Sequence, residues 1–414
     1  MVRRIKWSDA LSAAVTLLGA ALPLAPAAES RSKITVPPTP IELIATSFEN
    51  ASPLYFEIDE SGAAQVYLVY DQERSSPNRA NGHWHFQVQA RPGSDVVIVL
   101  NNLENVWNGV RGSVVPEAKT CAISSDGKTW NVVATEALPG ERLKLALHMD
   151  GPKLYVARIE PYRISDLERF KREIAQSPLA AIEPIGQTVE GRELEIIRIG
   201  REDAPNRVLL RARAHPWETG GNWVIEGLVR KLLRDDDQAR QCRERYCVYV
   251  VPMANKDGVA RGRTRFNGQG KDLNRDWDRP ADPALAPENH ALEKWIEGQM
   301  ARGRRIALAI DIHNDGSGGL DYSRPHLEPE RYLARMQLLD ELLRTHTWFT
   351  EGSIGPSRRN PGTLGEGLWS RYRIPASILE LNANWIAGLK EPASARSWMK
   401  FGEDLARVFL DYFS

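Results

Sequence analysis

The spacing of apolar and polar residues changes once along the chain, near residue 160. Before that point, from about residue 33, short runs alternate between apolar and polar positions and are separated by Asp-Gly, Pro-Gly and Asn-Gly pairs. A period of two is typical of strands, and many short strands with little helical periodicity predict an all-β sandwich. The clearest runs are residues 65–70, 83–89, 95–100 and 142–147.

After Pro161, apolar strands alternate with amphipathic helical segments. This alternation predicts an α/β domain with a mixed, largely parallel sheet flanked by helices. Ser165 and Glu168 fit a capping box, so the first helix is predicted to begin at Ser165. The predicted strands are residues 206–213, 246–252, 306–312 and 376–381, and the predicted helices are residues 165–176, 221–234, 287–302, 331–346 and 393–412.

The first residues have the order of a secretory signal peptide: basic, apolar, then small. Arg3, Arg4 and Lys6 precede an apolar run over residues 10–24, and Ala25-Pro26-Ala27 offers a cleavage site. A frayed amphipathic N-terminus is the alternative. No later stretch reaches the ~20 apolar residues of a spanning helix, so we expect a secreted or periplasmic protein without a stable membrane anchor. The predicted organisation is a signal peptide (1–28), a β-sandwich domain (29–160) and a catalytic domain (161–414).

Composition narrows the function further. The chain of 414 residues is long enough for two domains, and its 54 basic residues balance its 54 acidic ones, so nothing points to a nucleic-acid partner. Its three cysteines include no CxxC pair, which excludes a thiolate zinc cluster and leaves histidines and carboxylates as metal ligands. A disulfide between Cys242 and Cys247 stays open.

The chemically interesting side chains of the second domain lie where predicted strands end. In open α/β sheets, ligands bind beyond the carboxyl ends of the strands, so one crevice can collect these groups. His215 and Glu218 stand three residues apart, and with the later His313 they make two imidazoles and one carboxylate, the ligand set of a catalytic zinc. The strand-end residues are His215, Glu218, Asn255, Asp257, His313 and Glu380.

Asn255-Lys-Asp-Gly258 followed by Asp272-Leu-Asn-Arg-Asp-Trp277 resembles the zinc carboxypeptidase family, which carries NPDG, an arginine and DLNR in this order. The spacing between the two motifs is most similar to the branch called cytosolic carboxypeptidases. That branch places a β-sandwich ahead of the peptidase domain. The resemblance covers roughly residues 160–390, and it implies hydrolysis of C-terminal amino acids from peptides or proteins.

By this resemblance, His215, Glu218 and His313 match the ligands of one zinc ion per chain. Glu380 matches the general base, which accepts a proton from the attacking water. Arg265 matches the group that faces the developing oxyanion.

The resemblance also implies how the substrate is held. Asn274 and Arg275 match the residues that bind the substrate's terminal carboxylate, for which the guanidinium fork is well shaped. Asp272 matches the carboxylate that orients the first histidine.

Two positions depart from the family pattern. Trp217 stands where many pancreatic-type members have an arginine that touches substrate. The region where a mobile tyrosine is common offers Arg358 and Arg359 instead. This basic loop raises the hypothesis of a preference for acidic C-terminal residues, as in related deglutamylating members.

Two alternative functions stay open. One is a zinc-dependent deacylase of N-acyl amino acids, because those related enzymes share HxxE, DLNR and a late histidine. The other is a catalytically inactive module that only binds C-termini. The natural substrate, the role of the sandwich and the oligomeric state are not predicted.

Overall fold

The computed structural model describes residues 38–354, 359–360 and 362–414. The predicted signal peptide and Arg358 of the predicted basic loop lie outside these residues. Within them, no helix combines the length and the apolar character that crossing a bilayer requires.

The first part of the chain is built from strands, as its period-two pattern predicts. Alternate side chains are buried along the strand Arg142–Met149, where Leu143, Leu145, Leu147 and Met149 all point inward. The strands are β1 (Ile41–Ala45), β2 (Leu54–Ile58), β3 (Ala64–Leu68), β4 (Asp71–Gln72), β5 (Arg79–Ala80), β6 (His85–Ala90), β7 (Ser94–Asn101), β8 (Glu104–Trp107), β9 (Val110–Ser113), β10 (Thr120–Ser124), β11 (Asn131–Ala134), β12 (Glu136–Leu138), β13 (Arg142–Met149) and β14 (Lys153–Ala157).

These strands form two five-stranded sheets that share one hydrophobic core. The sheet orders are β1-β6-β14-β10-β11 and β12-β13-β7-β3-β2, and all pairs are antiparallel except β3 with β7. A smaller sheet has the order β4-β5-β8-β9. Two packed sheets with a common apolar interior make this part a β-sandwich.

The second part alternates strands and helices. The strands are β15 (Ala180–Gln187), β16 (Glu193–Ile199), β17 (Asn206–Ala212), β18 (Tyr246–Val251), β19 (Leu308–Asp315), β20 (Gly319–Asp321), β21 (Ser353–Ile354), β22 (Ala376–Asn382), β23 (Trp385–Ile386) and β24 (Glu391–Pro392). The helices are α1 (Ile164–Ile174), α2 (Gly220–Leu232), α3 (Asp237–Arg245), α4 (Lys256–Ala260), α5 (Pro287–Ala301), α6 (Pro329–His346), α7 (Leu364–Tyr372) and α8 (Ala395–Tyr412).

One sheet of order β15-β16-β18-β17-β19-β22-β20-β21 organises this part. Its central strands β18, β17, β19 and β22 run parallel, whereas β15, β16 and β20 join antiparallel. Separate apolar clusters cover the two faces, so the residues of β18 are all buried. The predicted fold class, a mixed α/β sheet preceded by an all-β region, is confirmed.

Helices α2 and α8 cross at closest approach through two glycines. A Cβ on Gly402 would lie 1.9 Å from the carbonyl oxygen of Val224, and a Cβ on Gly227 would lie 2.0 Å from that of Met399. Only glycine therefore permits this crossing, which buries Trp398, Phe401 and their neighbours against the sheet.

Helix α1 begins at Ile164, one residue before the predicted start, and Ser165 is not its N-cap. The cap residue is Arg163, whose backbone N–H donates to the carboxylate of Asp166 at 2.9 Å. The backbone N–H of Ser165 donates instead to Glu49 of the sandwich. The predicted capping box was wrong because Asp166, the third residue of the helix, accepts from both the backbone and the side chain of Arg163.

Cys242 and Cys247 do not form a disulfide, and all three cysteines of the described chain are buried and unpaired. Cys242 lies on α3 and packs into the cluster on one face of the sheet. Cys247 is the second residue of β18, so its side chain points to the cluster on the opposite face. The two thiols therefore lie on opposite faces of the sheet, although they are close in sequence.

The sandwich holds the loop that connects α4 to the predicted Arg265. The backbone N–H groups of Gly82 and His83 both donate to the hydroxyl of Thr264 at 3.1 Å. The buried carboxylate of Asp71 accepts from the backbone N–H groups of Arg265 and Phe266 at 2.7 and 2.9 Å. These bonds fix the loop backbone from the sandwich side.

We expect Gly402→Ala to destabilise the protein by about 1–3 kcal/mol or more, because the added methyl group meets backbone that cannot move without separating α2 from α8. Urea unfolding measures this change. Gly298→Ala on α5 is the matched control, since the nearest atom to its added Cβ is 4.0 Å away, and it should be neutral or stabilising by up to about 1 kcal/mol. Equal stability of G402A and the unmodified protein would contradict the packing argument.

Candidate metal centre and substrate cleft

Three side chains converge near the carboxyl ends of two neighbouring strands. His215 and Glu218 lie in the turn between β17 and α2, and His313 lies on β19, which runs parallel beside β17. Arg213 starts that turn with a left-handed φ of 60° and directs the chain toward the sheet's carboxyl edge. Because parallel neighbours end at one edge, the three residues meet there.

The three groups are close enough to share one ion. Nδ1 of His215 lies 2.7 Å from one carboxylate oxygen of Glu218, and Nδ1 of His313 lies 2.7 Å from the other. The two Nδ1 atoms are 3.1 Å apart. Ligand atoms around a tetrahedral zinc with bonds of ~2.0–2.1 Å are roughly 3.3 Å apart, so these separations match a single zinc site.

Two further carboxylates decide which way the imidazoles face. Nε2 of His215 donates to Asp272 at 3.1 Å, and Nε2 of His313 donates to Asp311 at 2.8 Å. With the protons held on Nε2, both Nδ1 lone pairs point at each other and at the Glu218 carboxylate. Three converging lone-pair donors repel one another unless a cation lies between them, and two nitrogens with one oxygen suit zinc.

The charged groups in and around His215, Glu218 and His313 favour a positive charge between these three side chains. Against the opposing effect of burial, Asp311 and Glu218 raise the pKa of His313 well above its usual range. Burial likewise opposes ionisation of Glu218, but the two imidazoles lower its pKa to about 2. Asp311 is itself held by a buried ion pair, in which Nε of Arg211 donates at 2.8 Å.

Glu380 lies on β22 directly opposite His313 of β19 in the sheet register. Its Oε2 atom is buried and has no hydrogen-bond partner among the residues that the structure describes. Burial raises the pKa of Glu380 well above its usual range, and the neighbouring carboxylates Glu218 and Asp315 add to the shift. Glu380 is half-buried and lines the cleft, and its buried oxygen has no partner among the described residues. Its carboxyl group can therefore exchange a proton with a molecule bound in the cleft.

Arg265, Asn274 and Arg275 line the same cleft as His215, Glu218 and Glu380, and Asp272 is fully buried behind them. Asp272 links them: it accepts from Nε of Arg265 at 2.8 Å and from the backbone N–H of Asn274 at 2.8 Å, besides His215. Arg275 donates to the backbone carbonyl of Asn274 at 2.7 Å but makes no ion pair with any carboxylate of the described chain. Burial lowers the pKa of Arg275 below its usual range. Arg275 therefore has no carboxylate in direct contact, although the charge of Asp272 acts on it from a longer distance.

The Asn255-Lys-Asp-Gly258 motif supports the cleft without entering it. The Asn255 side chain accepts from Gly258 N–H at 2.9 Å and donates to the carbonyl oxygen of Ala214 at 3.3 Å. The carboxylate of Asp257 is buried under Thr188, Glu190 and Arg192. The motif therefore fixes the turns that carry His215 and Arg265.

Arg359 of the predicted basic loop is already neutralised. Its guanidinium donates twice to Glu366, at 2.9 and 3.1 Å, and the Glu366 carboxyl group is fully buried. The hypothesis of an acidic preference therefore receives no support from Arg359.

Residues of the β-sandwich line the cleft as well, which the sequence motifs do not predict. The cleft has a volume of about 410 Å³, and Arg79, Asn105, Trp107 and Glu117 form its wall opposite the metal ligands. These residues belong to no recognisable motif. A single aromatic before an Asn-Gly turn, Trp107-Asn108-Gly109, is the one local signal in the sequence.

Comparison with known proteins agrees with this geometry. The zinc carboxypeptidase family model matches residues 167–318. The chain carries a zinc carboxypeptidase domain. The family prediction made from the motifs is thereby confirmed, including its similarity to the cytosolic carboxypeptidases.

Relatives of this zinc carboxypeptidase domain support the same assignment. Cytosolic carboxypeptidase 6 of Mus musculus is 30% identical over 254 residues, which are 56% of this chain and 46% of the mouse protein. The chain thus spans less than half of that relative.

Solved structures share the fold at low identity. A metallo-carboxypeptidase from Burkholderia cenocepacia has a TM-score of 0.77 at 20% identity, covering 89% of this chain and 98% of its own. A metallo-carboxypeptidase from Pseudomonas aeruginosa has a TM-score of 0.76 at 22% identity, covering 90% and 100%. Both coverages include the β-sandwich ahead of the zinc carboxypeptidase domain.

We expect His313→Ala to reduce bound zinc from about one equivalent per chain to below about 0.1, since two protein ligands hold the ion far less tightly than three. Elemental analysis after dialysis against excess zinc and buffer exchange measures the content. His148→Ala, which removes an exposed histidine of the sandwich, should keep its full complement. Full zinc content in H313A would rule out the three-residue site.

Proposed function

We propose that this protein is a zinc-dependent carboxypeptidase that hydrolyses C-terminal amino acids from peptides or proteins. One observation carries the proposal: two of the three converging side chains, His215 and Glu218, line the same cleft as Arg275 and Glu380. Arg275 makes no direct ion pair, and the buried Oε2 of Glu380 has no hydrogen-bond partner among the described residues. This combination provides a metal site, a cation for a terminal carboxylate and a group for proton transfer.

A zinc ion, when bound, supplies a Lewis acid that lowers the pKa of water toward ~7. His215, Glu218 and His313 would hold it. Glu380 accepts the proton of the attacking water and returns it to the leaving amine. Arg265, fixed through Asp272, stabilises the negative charge that develops on the scissile carbonyl oxygen.

Arg275 selects for a chain terminus. A guanidinium binds a planar carboxylate through two parallel hydrogen bonds, and Arg275 has no protein carboxylate to compete with that ligand. The Asn274 side chain accepts from the backbone N–H of Leu364 at 3.0 Å, which fixes its amide group beside Arg275. The pair therefore favours a substrate's free C-terminus over an internal peptide bond.

The predicted substrate requirement is testable with one peptide in two forms. The form with a free C-terminus should lose single residues, and the C-terminal amide should be hydrolysed at least about tenfold more slowly, because it lacks the charge for Arg275. Glu380→Gln should lower kcat by about 10²–10⁴ while keeping its zinc. Mass spectrometry of products and steady-state rates measure both effects.

The control for this assay is Glu341→Gln, which changes an exposed carboxylate of α6 and should leave kcat unchanged. An N-acyl amino acid is assayed in parallel. Faster turnover of that compound than of the peptide would favour the deacylase alternative. Unchanged activity in E380Q, or equal cleavage of the acid and the amide, would contradict the carboxypeptidase proposal.

We also propose that the protein is exported, on the basic, apolar and small-residue order of residues 1–28. Expression of the full chain should yield a mature extracytoplasmic protein that begins near Ala28 or Glu29. N-terminal sequencing of the cell fractions measures this. An intact N-terminus on cytoplasmic protein would contradict export.

A further inference from the structure

The sandwich extends an exposed β-hairpin over the cleft. We call β8 and β9, residues Glu104–Ser113, the Trp107 hairpin. Asn108 and Gly109 form its two-residue turn with φ of 51° and 78°, the left-handed pair of a type I′ turn. Val110 pairs with Trp107 and is 69% exposed, and Trp107 itself is outside the sandwich core. Burial in the core of its own domain therefore does not explain this tryptophan.

The Trp107 ring contacts both arginines of the proposed substrate site. Its centroid lies 4.6 Å from the guanidinium carbon of Arg265 and 4.9 Å from that of Arg275. An aromatic face attracts a guanidinium without carrying a charge. Arg265 donates to Asp272, whereas the direct contacts of Arg275 are Trp107 and a backbone carbonyl. Asp272 acts on Arg275 through its charge, without a hydrogen bond.

An uncharged partner is what a carboxylate-binding arginine requires. An acidic side chain beside Arg275 would orient it but would also occupy the fork and compete with the substrate. Trp107 restricts the guanidinium plane and shields it from water while leaving its edge available. The ring also lowers the free energy of placing the guanidinium groups of Arg265 and Arg275 near each other, because it contacts both.

The hairpin is anchored firmly enough for this role. The backbone N–H of Asn108 donates to the Asn78 side chain at 2.7 Å, and that of Asn81 donates to the Asn105 side chain at 2.8 Å. On the neighbouring hairpin, the backbone N–H of Arg74 donates to the carbonyl oxygen of Gly270 at 2.9 Å. These bonds connect the Trp107 hairpin through its small sheet to the loop between Arg265 and Asp272.

We infer that Trp107 is a positioning residue for substrate, supplied by the sandwich, which sets Arg275 to bind the terminal carboxylate of a peptide. The inference rests on the proposed function and explains why the two parts of the chain share one cleft. The recognised ligand class is a peptide with a free C-terminus, and the sandwich contributes to its recognition.

The test measures binding apart from turnover. An N-acetylated tripeptide with a free C-terminus, and its amide, are titrated calorimetrically into zinc-loaded E380Q and into E380Q carrying Trp107→Ala. We expect W107A to weaken binding of the acid roughly 3- to 30-fold and to leave the amide's affinity unchanged. Trp107→Phe should restore part of the loss, and Arg275→Met should abolish any further effect of W107A.

Tyr55→Ala is the matched control, because it removes an exposed aromatic from the sandwich; it should bind both peptides like the parent. In the active enzyme, W107A should raise KM for the acid more than it lowers kcat. Equal weakening of the acid and the amide, or no weakening of either, would overturn the inference. If the wild-type protein bound the acid more tightly than the amide but hydrolysed neither peptide, the proposed function would be refuted and the inference about Trp107 would stand.

Discussion

The site depends on one electrostatic constraint: two imidazoles whose Nδ1 atoms are turned toward the same carboxylate. Asp272 and Asp311 impose this orientation by accepting the Nε2 protons of His215 and His313. Without them, each ring is free to choose the other tautomer and turn a proton toward its neighbour. The position of these carboxylates is in turn fixed by the arginines that pair with them, Arg265 on one side and Arg211 on the other. At the proposed zinc site, metal affinity would therefore depend in part on residues that would not touch the ion.

The sandwich and the peptidase fold are interdependent around this constraint. Arg265 pairs with Asp272 only if its loop keeps its course, and that course is held by Asp71 and by the backbone near His83. Close packing adds to this, because Gly262 with φ of 60° lies where a Cβ would be 2.0 Å from the carbonyl oxygen of Ala51. In this chain the β-sandwich is therefore part of the site's architecture, beyond any binding of its own.

Sequence patterns predicted those parts of the fold in which the spacing of apolar residues matches the spacing of buried side chains. The alternating run of β13 and the fully apolar β18 were recognisable for that reason. Helix α3 was not predicted, since its residues Asp237–Arg245 are almost all polar and only Ala239 and Cys242 are buried. The side chains in the metal centre were predicted from strand-end placement and from resemblance. The sandwich wall of the cleft was not, because contacts between distant segments such as Trp107 and Arg275 leave no local pattern.

The three unpaired cysteines have a consequence for a protein whose first residues look like an export signal. Burial raises the pKa of Cys121 to about 12 and that of Cys247 to about 11. Thiolate is the reactive species in oxidation and in exchange with other sulfurs, so thiols with such values are chemically inert while the chain stays folded. In an oxidising compartment the native state would resist covalent cross-linking, and partially unfolded molecules would be trapped as mispaired aggregates. Oxidising conditions would therefore modify this protein only after it has begun to unfold.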